Sequence, residues 1–408
     1  MKIKCMSKAH ILILILIFLY IIFGSAISIL HKYLDIEESR GKTFDHDAFL
    51  NLLMFLAETL GLVLYCIIKL IKRIISKSEI IEGVSERKCF KIKKIMTLGL
   101  PCIFDTFASF LSNLSLSIFP GSIYTMLKGY FIILFTYFLS QCFIKCKRVW
   151  DHIIGIIVAF VAILFLGFPV LFEELEEKKE NFDFLNIIIA GASLIVAMFI
   201  QSLQFIYEEF MMMKYELDPL LFIGCEGLFG FIFNFLLCII FYVVKCGKNP
   251  KNPFKDFCTQ DEDGIWRIEN IFFAFKQISE SGRIIGFLIG LFVVLAFCNI
   301  IGIHINKYGG AITRSLIENF KSVIVYIYFL VIPAEDKLKE SFNIVRLFGI
   351  PLIFLSIFIF FGFLKIDEKC EISKKIKTLT SSLPDDDERI LNESRESNLE
   401  NTEEESNN

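Results

Sequence analysis

Three ionisable residues, Arg314, Glu318 and Lys321, interrupt a stretch at 309–332 (GGAITRSLIENFKSVIVYIYFLVI) that is otherwise apolar enough to cross a bilayer. Spaced i, i+4 and i+7, they project from one face of a helix. An ion near the centre of a spanning helix costs ~2.5 to 3.5 kcal/mol, so three deep ones cost roughly 8 to 10 kcal/mol. The twelve Leu, Ile, Phe and Val residues of the stretch return only ~0.3 to 0.6 kcal/mol each. Arg314, near one end, is expected to escape part of that cost by snorkelling, but Glu318 and Lys321 need partners inside a bundle or a wet cavity. Fixed charges at membrane depth point to a solute path.

Other apolar stretches carry matching groups. Tyr124 and Lys128 stand four apart in SIYTMLKGYF, and Asp105 and Asn113 stand eight apart in a stretch whose hydrogen-bond ladder Pro101 opens. Gln201, Gln204 and Glu208 follow at i, i+3 and i+7, and Glu58, Glu226 and Asn299 lie on three further stretches. On a functional reading, Lys128, Arg314 and Lys321 neutralise an anionic substrate, with Tyr124, Asn113, Gln201 and Asn299 as the polar lining. Glu58, Asp105, Glu226 and Glu318 then serve as coupling or gating carboxylates for a proton or cation. On the competing reading the ions pair with one another, Lys128 and Lys321 with Glu58 or Asp105, and only hold helix register. So many polar groups are a costly way to hold helices that Gly and Ala packing could hold. Glu208 and Glu209, near a cytoplasmic end, are expected on a solvated face.

The elements that position these groups are read from hydropathy. The chain has 408 residues, 55% of them hydrophobic, and a mean hydropathy of +0.62, which excludes a soluble protein. Ten runs are long enough to cross ~30 Å of hydrocarbon, near 10–30, 48–70, 96–118, 121–141, 151–172, 184–206, 219–244, 284–305, 309–332 and 344–364. The first follows Lys2, Lys4 and Lys8 like a signal peptide but has no small-residue cleavage site, so it reads as a spanning helix. The expected fold is an all-α polytopic membrane protein. Its twelve cysteines show no metal spacing, and no metal or cofactor is expected, although Cys246 and Cys258 share a loop where a disulfide is conceivable. The sequons at Asn113 and Asn392 fall in a span and in a cytoplasmic tail. No zincin pair, nucleophile elbow or phosphate loop occurs, HKYLD at 31–35 misses the acyltransferase spacing by one residue, and nothing suggests nucleic acid. An enzyme is not expected.

Lys and Arg placement sets orientation. With a cytoplasmic N-terminus, the inside segments hold 21 Lys and Arg, eight of them at 71–95, so both termini read as cytoplasmic. Ten spans divide as five plus five, residues 1–183 and 184–365. An odd number per half inverts the second half, which is a transporter signature. GSIYTML at 121–127 echoes GAITRSL at 310–316, and FLAE, ending at Glu58, echoes FIGCE, ending at Glu226. Residues 366–408 are acidic and polar and read as a disordered tail. Within it DDDERIL (Asp386, Ile390, Leu391) has the pattern of an acidic dileucine sorting signal, a partner for clathrin adaptors, though an Ile-Leu pair also arises by chance.

Several stretches resemble the drug/metabolite transporter superfamily (EamA-like), in particular the F branch of solute carrier family 35, the nucleotide-sugar-transporter-like proteins. They are LMFLAETLGLVLY (53–65), LPCIFDTFASFLSNLSLSIFPGSIYTMLKGYFIILFTYFLS (100–140), FIYEEFMMMKYELDPLLFIGCEGLFGF (205–231) and FCNIIGIHINKYGGAITRSLIENFKSVIVY (297–326). MLKG followed by IILFT is the most specific. Members usually carry Arg at the place of Lys128, and Asp and Arg at those of Glu318 and Lys321, so charge is kept but bidentate geometry is not. The resemblance implies ten transmembrane helices in two inverted repeats around a cavity lined by spans three, four, eight and nine, and an endomembrane, lysosome-like or Golgi, location.

The sequence therefore leads to a secondary transporter working by alternating access, as an exchanger or with cation coupling, for a small organic anion or nucleotide derivative. An amino acid, peptide or organic cation is the alternative substrate. A receptor or scaffold whose charges are internal staples is the alternative of another class.

Overall fold

The computed structural model describes residues 8–76, 97–118, 121–144, 150–177, 184–245, 259–260, 265–332 and 344–360. Long helices lie over the apolar runs: α1 (Lys8–Ile36), α2 (Asp47–Ser76), α3 (Leu100–Ile118), α4 (Gly121–Phe143), α5 (Trp150–Glu177), α6 (Phe184–Tyr215), α7 (Pro219–Val243), α9 (Gly282–Gly309), α10 (Ala311–Val331) and α11 (Ile344–Phe360), with a short α8 (Ile271–Glu280) before α9. Five of them, α1, α2, α6, α7 and α9, are long and apolar enough to cross a membrane by length and composition. Shorter apolar stretches lie in α3, α4, α5 and α11. This is an all-α membrane architecture. Along α2, Ile67, Leu70, Ile71 and Ile74 are exposed, which suits a lipid-facing side and would be costly in water.

Helix ends follow local chemistry. Asp218 caps α7 by accepting the Leu220 N–H at 2.9 Å, with Pro219 in the first turn. Gly310 separates α9 from α10 at φ +88°, a conformation open to glycine. The first turn of α10 is capped from elsewhere: the Ala311 N–H donates to Glu209 Oε2 on α6 at 2.7 Å.

The helices pack in a small set of pairs: α2 on α7, α5 on α11, α3 on α6, α1 on α9, α4 on α6, and α10 on both α1 and α4. At the α2–α7 crossing Gly224, Gly227 and Gly230 face Leu62, Glu58 and Phe55. A Cβ on Gly227 would lie 2.6 Å from the Glu58 Cβ and 2.7 Å from the Thr59 nitrogen. Only glycine permits that approach.

The loops at 31–47 and 245–283 read from sequence as connections, yet their described residues build a cap at one end of the bundle. Strands β1 (Glu38–Ser39) and β2 (Lys42–Thr43) form a hairpin over Arg40 and Gly41, both at positive φ, the conformation of a type I′ turn. Residues 259–260 and 266–267 pair as β3 (Thr259–Gln260) and β4 (Trp266–Arg267). The hairpin, α2 and α8 meet on His46, whose Nδ1 lies 2.6 Å from Glu269 Oε1 and whose Nε2 lies 3.0 Å from Gln277 Oε1. His46 and Glu269 are almost fully buried. The proposed Cys246–Cys258 disulfide, Asn392 and the tail motif Asp386, Ile390 and Leu391 lie outside the described residues.

Candidate functional site

Among the described residues, three sets of buried and half-buried side chains built on carboxylates lie within the bundle. The first joins α1 to α10: the Tyr20 hydroxyl and Lys321 Nζ both donate to Glu318 Oε1, the latter at 2.8 Å, and Lys321 Nζ sits 4.2 Å above the Tyr20 ring. Gly24 of α1 makes room for this, since a Cβ there would fall on the end of the Lys321 side chain.

The second joins α6, α9 and α10. Glu208 Oε2 accepts from Arg314 Nη1 at 2.7 Å and from Asn306 Nδ2 at 2.9 Å, and the guanidinium lies 4.2 Å above the Phe205 ring. This corrects two expectations. Arg314 does not snorkel; it is 8% exposed, because a buried carboxylate meets it. Glu208 and Glu209 are not on a solvated face, at 1% and 4% exposed; one holds Arg314 and the other caps α10. Gly302 of α9 lies between the two sets, where a Cβ would meet Tyr20 at 2.9 Å and the Arg314 guanidinium at 3.5 Å.

The third spans α2, α6, α7 and α9. Asn299 Nδ2 donates to Glu58 Oε1 at 2.8 Å, and Gln204 Nε2 donates to Glu226 Oε1 at 3.1 Å. The other oxygen of each carboxylate is buried with no hydrogen-bond partner. Asp105 of α3 is half-buried and in electrostatic range of Glu58 and Glu226.

Lys128 stands apart from these pairings. Half-buried on α4, it lies 5.7 Å above the Tyr124 ring, and among the described residues no carboxylate is within ion-pairing distance of it. The next residue, Gly129, lies where a Cβ would strike Asn319 of α10, so Lys128 is one position from the closest approach of α4 to the helix that carries Glu318 and Lys321. The expected pairing of Lys128 or Lys321 with Glu58 or Asp105 is not found: Lys321 pairs within its own helix. Asn113 is not with the others, because it donates to Asp47 Oδ2 at 2.8 Å at the start of α2, three turns from Glu58. Gln201 is half-buried and joins none of the three sets.

Tyr20 and Asn306 went unnoticed in the sequence. Tyr20 carries the one hydroxyl in ILILILIFLYIIF, and a phenol buried in such a run needs a partner.

No family model matches the chain. It is similar to solute carrier family 35 member F6 of Homo sapiens, 26% identical over 263 residues, 64% of this chain. That match spans 65% of the human relative's length. With the protein of the same name from Rattus norvegicus it is 25% identical over 384 residues, 92% of this chain and 95% of the relative. An uncharacterized protein of Schizosaccharomyces pombe, C12G12.12, is 24% identical over 274 residues, 67% of this chain and 76% of that one. A solved crystal structure overlays with a TM-score of 0.50 at 12% identity, covering 85% of this chain and 94% of that one, a likeness of fold alone. Named solute carriers rather than enzymes, the mammalian relatives agree with the lack of an enzyme motif in the sequence. On these likenesses the chain is a multi-pass membrane protein similar to solute carrier family 35 member F6.

Proposed function

We propose that this protein is a secondary-active solute transporter of an endomembrane, with ten spans in two inverted five-helix repeats, 1–183 and 184–365, and both termini in the cytoplasm. Helix packing supports the layout. Numbering the long helices one to ten without α8 and advancing every helix by five turns the α3–α6 pair into α9–α1, α4–α6 into α10–α1, and α3–α7 into α9–α2, all of which are packed pairs. The pairs α2–α7, α4–α10 and α5–α11 map onto themselves. Two halves that exchange in this way can rock about a shared midplane, which is alternating access.

The substrate is a small organic anion or nucleotide derivative, and Lys128 is the observation that carries this. A half-buried cation with no ion pair among the described residues is costly, and a substrate anion would supply a counter-ion. Tyr124 lies beside it for positioning, and Asp105, Glu58 and Glu226 serve coupling. Arg314 and Lys321, closed in ion pairs, favour the second reading, a receptor or scaffold with internal staples. An amino acid, peptide or organic cation gains from the acids that lack a cation. The dileucine at Asp386, Ile390 and Leu391 would direct the protein to a lysosome-like membrane through clathrin-adaptor recognition.

The test is reconstitution in liposomes with a panel of nucleotides, sugars, amino acids and amines. Uptake or counterflow of an anion, abolished by Lys128→Ala with expression intact, is expected. No transport of any panel member by folded protein favours the scaffold, and unchanged kinetics in Lys128→Ala sinks the site.

A further inference from the structure

Glu58 and Glu226 are 4% and 1% exposed. Each has one oxygen held by a neutral amide, Asn299 or Gln204, and one buried oxygen with no partner. Gln204 Oε1 is a third buried acceptor without a donor. Neither carboxylate has a Lys or Arg within ion-pairing distance among the described residues, because Arg314 is taken by Glu208 and Lys321 by Glu318. The two acids also lie on the close α2–α7 crossing, where Gly227, the neighbour of Glu226, rests on the Glu58 backbone. Among the described residues, the titratable groups in electrostatic range of them on other helices are mostly acids, Asp105 and Cys102 on α3 and Glu208 on α6, against Arg314 on α10.

We propose that Glu58 and Glu226 form a proton-binding pair, each unpartnered oxygen being the site of a proton that neutralises its carboxyl group. Desolvating an unmatched carboxylate costs several kcal/mol even after relaxation, and a second one nearby adds repulsion. Protonation removes both penalties and turns an unpaired acceptor into an O–H donor. A multivalent metal fits poorly, since no group of three metal-ligating acids, His or Cys forms among the described residues.

The pair is wired to the rest of the site. Glu226 holds Gln204 of α6, one helical turn from Glu208, the partner of Arg314 on α10. Glu58 holds Asn299 on α9. Loss of the proton from Glu226 adds a negative charge within range of Arg314 and so competes with Glu208 for it, loosening the buried ion pair that joins α6 to α10. Glu318, locked between Tyr20 and Lys321, takes no part. The role of this proton in coupling rests on the transporter reading; its presence does not.

The experiment is infrared difference spectroscopy of the full-length protein in lipid nanodiscs, titrated through neutral pH in potassium or sodium buffers. The carbonyl stretch of protonated carboxyl groups is expected at neutral pH in wild type, reduced in Glu58→Gln and in Glu226→Gln and lost in the double variant. Potassium and sodium should give the same spectrum. A band absent from wild type, or untouched in the double variant, overturns the proposal. A band abolished by sodium overturns it in favour of a sodium site. Should the glutamine variants fail to fold, wild-type protein is labelled with a hydrophobic carbodiimide, which attacks protonated carboxyls, and mapped by mass spectrometry. Modification of Glu58 or Glu226 supports the pair, and modification of neither sinks it. A protonated pair in a protein that moves no solute refutes the transporter and leaves the pair standing.

Discussion

His46→Gln should release the cap from the bundle. Gln277 cannot turn its amide over, because its Nε2 donates to the carbonyls of Ser39 at 3.0 Å and Lys42 at 3.2 Å, which leaves its Oε1 facing His46 Nε2. Nδ1 faces the Glu269 carboxylate. With an acceptor on each ring nitrogen, both must carry protons, so His46 is an imidazolium in a buried ion pair. Removing one member of such a pair costs roughly 3–5 kcal/mol, because the other charge stays behind. Glu269 would then keep only the Asn270 and Ala48 N–H groups. At ~1.36 kcal/mol per tenfold, local opening should rise by roughly two to three and a half orders of magnitude. Hydrogen exchange of the α8 amides in nanodiscs reads this directly. Exchange within tenfold of wild type refutes the imidazolium.

The same group sets a pH dependence. Burial alone would lower the His46 pKa, but the hydrogen bond and charge of Glu269, the Gln277 contact and the charge of Asp45 outweigh it and hold it above the ordinary 6.5. Asp47 also lies in this acidic corner. A raised folded value means that the stabilisation is complete below the unfolded pKa and is lost as pH climbs through the folded one. Protection of α8, corrected for intrinsic exchange, should therefore be full in acid and fall on the alkaline side. His46→Gln should flatten that profile, and Glu269→Gln should move the fall to lower pH.

Three further outcomes follow from the packing. Gly227→Ala should cost about 1–3 kcal/mol or more through overpacking, seen as a lower Tm, because the new Cβ meets the Glu58 and Thr59 backbone. Gly286→Ala, where nothing lies within 4 Å, should instead gain about 0.5–1 kcal/mol; equal effects at the two sites would discredit the crossing geometry. Glu208→Ala should destabilise by roughly 3–5 kcal/mol by stranding Arg314, and Glu208→Ala with Arg314→Met should recover much of that in a double-mutant cycle. Lys128→Met, which removes a cation that has no ion pair, should leave Tm unchanged or higher; a fall comparable to that of Glu208→Ala would mean that Lys128 is a staple.

What could be read from the sequence divides by range. The apolar runs gave helix positions because hydrocarbon admits few alternatives to a helix with its backbone bonds satisfied internally. The inward face of α10 was legible because three ions at i, i+4 and i+7 leave no cheaper orientation. The Gly-Gly break before Ala311 and the Asp-Pro start of α7 are likewise local. Partner choice was not legible, because it depends on which helices touch. Glu208 read as an end-of-helix solvated residue although its spacing from Gln201 and Gln204 already placed it on their face; that spacing was the signal to follow. His46 is more than 220 residues of chain from Glu269 and Gln277, and nothing local marks the three as a cluster.

The pairings also change how the charges divide the work. Glu318 and Lys321 lie on one helix at i, i+3, so a rigid rotation of α10 carries them together and leaves their mutual energy unaltered. Glu208 and Arg314 lie on α6 and α10, so the same rotation separates them and exposes an uncompensated guanidinium. A bundle that rocks must therefore offer Arg314 a second acceptor or pass through a high-energy state. Besides Glu318, which Tyr20 and Lys321 hold, the acids within electrostatic range are Asp105, Glu58 and Glu226, and of these Glu58 and Glu226 each have an oxygen to spare. Deprotonation of that pair would create the acceptor at the moment the Glu208 pair opens. On the proposed transporter reading, the charges that first looked like a binding patch on α10 divide into a fixed pair, a breakable pair and a proton reservoir, with Lys128 on α4 proposed to meet the solute.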